Sequence, residues 1–184
     1  EDVCNNGAPC SNIFGMDALS SGGYVMAGHS AGGGFSLLIR LDENGKEVWS
    51  KTISGDGFCY FTDVVEGANE ILAVGHCQGE WPTATGTLTS KSFAYAFDDA
   101  GNELWTKYYQ GTKEEDQWTA FEFKDVRVVE GGYVINASGN SAACCVSQRG
   151  IVTRLDAKGD VLWEAQLYPN FGAHGGAGLV ADTG

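Results

Sequence analysis

One pattern of roughly 57 residues, written three times, governs what this chain can fold into. The first copy runs SSGGYVMAGHS (residues 20–30) and then FSLLIRLDENGKEVWSKTI (residues 35–53). The second runs GANEILAVGHC and SFAYAFDDAGNELWTKYY, and the third EGGYVINASGN and GIVTRLDAKGDVLWEAQL. Trp49, Trp105 and Trp163 mark the copies, 56 and 58 residues apart (105 − 49 and 163 − 105). Within each copy apolar residues alternate or run in short stretches between turn signals, the period of strands rather than helices. Each copy divides into four short strands: one before the GGY turn, one after it, one ending at Asp42, Asp98 or Asp156, and one carrying the tryptophan. Asp42-Glu43-Asn44-Gly45, Asp98-Asp99-Ala100-Gly101 and Asp156-Ala157-Lys158-Gly159 supply hairpin turns, with aspartate bonding its own backbone and glycine taking positive φ. These acidic turns lack the further oxygen ligands and closing glutamate of a calcium loop, so they are expected to be structural.

Four antiparallel strands per repeat predict an all-β chain of propeller-type blades, about three blades plus the first strand of another. The divisions fall at 1–56 (an N-terminal disulfide segment and blade 1), 57–111 (blade 2), 112–170 (blade 3) and 171–184 (partial blade 4). GGYVMAG followed by LLIRLDENGKEVWSKTI resembles the secreted propeller repeats of bacterial and algal extracellular proteins, with their GGY-[IV]-x-AG and LIK-x-D-x-x-G-x-x-x-W signatures. That resemblance covers nearly the whole chain and implies a fold and an exported, surface-associated protein without an assigned reaction. The second copy departs from it at GANEI, where the glycine pair is lost, and the third has Ala137-Ser138 where the first has Gly28-His29. A fainter likeness to quinone-dependent dehydrogenase propellers fails on the turn, where aspartate and glycine stand three residues apart rather than four.

Composition agrees with a turn-rich β protein: 27 glycines against 3 prolines, and 43% hydrophobic residues among 184. The 24 acidic against 11 basic side chains, a formal charge of −13, repel phosphate backbones and anionic membranes, so nucleic acid is not expected as a partner. Nothing approaches the ~20 consecutive apolar residues of a spanning helix, so membrane insertion is not expected either. GLVADTG at the end matches the opening strand of a repeat. The strand around Gly178-Leu179-Val180-Ala181 is therefore expected to pair outside this segment, with copies of the chain or with the remainder of a longer one.

Six cysteines and no pair of CxxC knuckles point to disulfides and an oxidising compartment. A hairpin between Val65 and Ile71 centred on residue 68 sets Cys59 opposite Cys77, within bridging range. Cys4 and Cys10 bracket a polar turn, and Cys144 and Cys145 are adjacent. Local pairs are favoured for these four, with cross-bridges between the two sets as the alternative.

Candidate sites are few. His29 and His76 hold the same repeat position, but Ser138 holds it in the third copy, which leaves an incomplete metal set and favours strand-end hydrogen bonding. His174 has no visible catalytic partner pattern, and Glu114, Glu115 and Asp116 belong to a solvated run. Trp81 and Trp118 stand among polar residues in longer loops, where they could stack on a sugar or a partner or fold back over an edge. Asn136 opens the one glycosylation sequon, inside a strand, and its use depends on that strand reaching an exposed face. The three repeat tryptophans are expected to be largely buried. No cofactor or metal is expected, and no residue stands out as catalytic. The leading expectation is a non-enzymatic extracellular structural or assembly protein, such as an appendage, filament or matrix component. The alternative is a lectin-like or adhesive propeller binding carbohydrate through Trp81 and Trp118.

Overall fold

The computed structural model describes residues 11–30, 35–54, 57–82, 87–110, 118–141 and 148–167. Among them it is all-β, with twelve strands in three four-stranded antiparallel sheets and no helix. Sheet 1 contains β1 (Asn12–Ala18), β2 (Tyr24–His29), β3 (Phe35–Leu41) and β4 (Glu47–Ser54). Sheet 2 contains β5 (Phe58–Glu66), β6 (Ile71–Pro82), β7 (Thr87–Phe97) and β8 (Glu103–Tyr109). Sheet 3 contains β9 (Trp118–Val129), β10 (Gly132–Ser141), β11 (Gln148–Asp156) and β12 (Val161–Leu167). Each sheet is a meander whose spatial order is its chain order.

The turns joining the third and fourth strands are chemically alike. Asp42, Asp98 and Asp156 each accept backbone N–H groups through a side-chain oxygen, from Asn44 and Lys46, from Asn102, and from Lys158 and Asp160. The glycine closing each turn has φ near +80° (Gly45 77, Gly101 80, Gly159 77), where a side chain would be strained. The Asn102 side chain and backbone hold the Asp98 carboxyl below the usual carboxylate range, and the Asp160 N–H does the same for Asp156. These carboxylates are occupied in holding the turn.

Two β-bulges recur in every sheet and were not visible in the residue pattern. One places an extra residue, Phe14, Thr62 or Lys124, in the first strand. The other places Val48, Leu104 or Leu162 immediately before the repeat tryptophan. The first bulge corrects the hairpin arithmetic in sheet 2. Val65 faces Leu72 and Glu66 faces Ile71, so the hairpin centre lies half a residue beyond 68, and the extra residue Thr62 restores the register that sets Cys59 against Cys77. The two cysteines form a disulfide.

The apolar core lies between successive sheets. Val25, Ala27 and Leu38 of sheet 1 pack with Phe61, Val64, Phe93 and Phe97 of sheet 2. Leu72, Val74, Ala94 and Ala96 from sheet 2 pack with Phe121, Phe123, Ile135 and Leu155 from sheet 3. Among the described residues sheet 2 thus buries both faces while sheets 1 and 3 each bury one. This asymmetry corrects the expectation for the tryptophans. Trp49 and Trp105 are half-buried, each against the sheet that follows, whereas Trp163 is 48% exposed because it belongs to sheet 3.

Candidate functional site

The junctions between sheets are built from one device. Trp49 donates its indole N–H to the carbonyl of Asp99 at 3.0 Å, in the turn of sheet 2, and its ring lies over Gly101. Arg40 reinforces this contact with Nε and Nη2 on the two Asp99 carboxylate oxygens, at 2.9 and 3.2 Å. At the second junction the ring of Trp105 lies over Gly159, Tyr109 donates to the Gly159 carbonyl at 2.8 Å, and Lys107 pairs with Asp160. Glu70 anchors the same region by accepting from Trp105 Nε1 at 3.3 Å and Tyr133 OH at 2.7 Å. The turn GANEI, which departs from the glycine pattern, therefore supplies a carboxylate for the junction.

The first strands of the sheets converge on a cleft of about 790 Å³, whose lining includes Phe14, Met16, Asp17, Asp63, Glu66, Lys124, Asp125 and Arg127. Asp63 is buried there and bridges the second junction: its Oδ2 accepts the Val126 N–H at 2.9 Å and Arg127 Nη1 at 3.2 Å. Arg127 also pairs with Asp125 at 2.5 Å. Burial, followed by the hydrogen bond to Asp125, pushes Asp63 up to about 7, against the opposing backbone N–H groups. Asp63 and Asp125 hold the same repeat position, just beyond the bulge, and Gly15 holds it in sheet 1. Single-residue context gave no reason to separate these acids from the others; their equivalence emerges only once the bulges are counted.

The equivalent histidines have different environments. His29 lies 2.9 Å from Asn12 Nδ2 and 3.2 Å from the Ser30 carbonyl. His76 is 0% exposed, and neither ring nitrogen meets a hydrogen-bond partner in good geometry among the described residues. Its Nε2 lies 3.8 Å from the Glu122 carboxylate, and the edge-on ring of Tyr60 is 4.4 Å away between centroids. Burial pushes His76 down to about 4, outweighing the attraction of Glu122. Burial would raise Glu122 itself, but its hydrogen bond from Lys124 and the nearby His76 hold it below the usual range. Among the described residues no three His, Cys, Asp or Glu side chains gather as metal ligands would.

Trp81 and Trp118 are not loop residues. Strand β6 continues through Trp81, which faces Leu88, and β9 begins at Trp118, which faces Ser141. Backbone pairing past the irregularity after Gln78 extends the sheet into what composition suggested was loop. Their side chains lie outside the described part of the structure. Asn136 is 8% exposed within β10, so the folded chain does not present this sequon as an exposed acceptor. Cys4, Cys10, Cys144, Cys145, Glu114, Glu115, Asp116, His174 and the segment Gly178–Ala181, expected to form a strand, lie outside the described residues. No described helix is long and apolar enough to cross a membrane.

No protein-family model matches the chain, and no similar curated protein was found.

Proposed function

We propose that this chain is a non-enzymatic extracellular structural module built from propeller-type repeats, of the kind used in appendages, filaments or matrices. The observation that carries this reading is the recurrence of one docking device at both junctions: a tryptophan of one sheet seated on the Asp-x-x-Gly turn of the next. A repeat that buries its apolar face only against its neighbour is an element for building arrays. The Cys59–Cys77 disulfide supports an oxidising, extracellular location. In the cleft Asp63 joins β5 to β9 through the Val126 N–H and Arg127, a structural use for a carboxylic acid displaced to near neutrality.

The test is fractionation of the source organism with an antibody to the chain, combined with thiol labelling. Recovery in insoluble extracellular material, with Cys59 and Cys77 protected from alkylation, is the expected result. Recovery in the cytosol with both thiols free would overturn the reading. Glycan-array binding that disappears on changing Trp81 and Trp118 would replace it with the adhesive alternative.

A further inference from the structure

The strand registers align the three sheets residue by residue, and the alignment matches the two outer faces to each other. At the first junction Arg40 of sheet 1 meets Asp99 of sheet 2 at 2.9 Å. At the second junction the aligned positions are Ala96 and Ala157, a neutral pair. One step further, the same position on sheet 3 is Arg154, and the position equivalent to Asp99 on sheet 1 is Glu43. Opposite charges therefore recur on faces that do not meet among the described residues.

The tryptophan device gives a second match. A methyl group placed on Gly101 would lie 3.0 Å from the Trp49 ring, and one on Gly159 would lie 2.6 Å from the Trp105 ring. A methyl group placed on Gly45, in the equivalent turn of sheet 1, would meet nothing within 4 Å, and Trp163 is 48% exposed. The apolar lining agrees. Ile13, Met16 and Tyr24 of sheet 1 are exposed, yet they align with Phe61, Val64 and Ile71, which are buried in the first junction. Leu167 of sheet 3 is exposed and aligns with the buried Tyr109.

We propose that the sheet 3 face of one copy docks head to tail on the sheet 1 face of a second copy, with Trp163 over the Asp42–Lys46 turn and Arg154 on Glu43. In the single chain Arg154 bonds the backbone carbonyls of Glu130, Tyr133 and Leu155, and docking exchanges part of this set for a carboxylate. The contact is heterologous, so it either closes or propagates. The described residues of two copies supply six sheets, within the range of roughly four to eight at which propellers close, so a dimer is the expected particle. The inference rests on the structural reading above and names the partner that such a module takes.

Sedimentation equilibrium of the 184-residue chain, from about 1 to about 100 µM, should give a mass rising from 19.5 kDa to twice that value. Trp163→Ala and Glu43→Arg should each weaken association roughly tenfold or more, with unchanged far-ultraviolet circular dichroism. Mixing the two variants should restore dimers, because one intact junction remains between them, and Glu43→Arg combined with Arg154→Glu should recover association through the reversed pair. A chain that stays monomeric, or associates regardless of these changes, would overturn the proposal. So would a native protein of much greater intact mass, in which a further repeat of the same chain covers the face. Extracellular recovery of a stable monomer would remove this contact and leave the structural reading in place.

Discussion

The ring of Trp105 lies so close to Gly159 that a methyl group there would sit 2.6 Å from it, in a turn whose geometry is otherwise that of Gly45. The two glycines share φ = 77°, so alanine pays the same left-handed backbone penalty at each, roughly 1 kcal/mol. Only Gly159→Ala must also displace an indole. Urea denaturation should show Gly45→Ala costing about 1 kcal/mol and Gly159→Ala about 2–4 kcal/mol. Equal losses would mean that the tryptophan contact contributes nothing to the junction.

The Cys59–Cys77 bridge spans 18 residues and ties the first two strands of the middle sheet, which packs on both sides. Closing a loop of that size contributes about 2–4 kcal/mol through the unfolded chain. Replacing both cysteines by alanine should lower stability by that amount in denaturant, and non-reducing peptide mapping of the parent chain should recover the 59–77 pair. Finding either cysteine paired elsewhere would contradict the register of β5 on β6.

Much of this architecture was legible because the repeat states it three times. Trp49, Trp105 and Trp163, with their Asp-x-x-Gly turns, fixed strand number and hairpin positions from spacing alone. Burial of the tryptophans was not legible, since it depends on whether another sheet follows, a property of neighbours rather than of the repeat. Asp63 was hidden among 24 acidic residues, because its distinction comes from a bulge at Thr62 that no residue type announces. Trp81 and Trp118 were misassigned to loops because polar, glycine-containing flanks outweigh pairing partners that are distant in the chain.

His76 should make stability fall in mild acid. Its folded-state pKa of about 4 lies below the ordinary imidazole value of 6.5, so the unfolded chain binds the proton more readily. Any stability linked to this group is intact above pH 6.5 and declines as pH drops toward 4, by roughly 3 kcal/mol in full. Glu122, held below its usual range, adds to the loss at the acid end. Chemical denaturation across this window should show His76→Gln with a flatter profile than the parent. An unchanged slope would mean that the imidazole titrates alike in both states.

Asp63 works in the opposite direction and partly conceals His76. Its carboxyl is raised from 3.8 to about 7, so the folded chain holds a proton that the unfolded chain releases. The associated stability is fully present below pH 3.8 and is lost as pH climbs through 7. Asparagine imitates the protonated acid, with an oxygen to accept the Val126 N–H and an amide to donate toward Asp125, and Arg127 retains Asp125 as its ion-pair partner. Asp63→Asn should therefore match the parent at pH 4 and equal or exceed it at pH 8, and the variant's curve should rise more steeply with pH because only His76 and Glu122 then shape it. Calorimetric unfolding at the two pH values decides the matter. A loss of more than about 2 kcal/mol at pH 8 would show that the ionised carboxylate is favoured beside Arg127 and that the Asp63 carboxyl is not raised by its site.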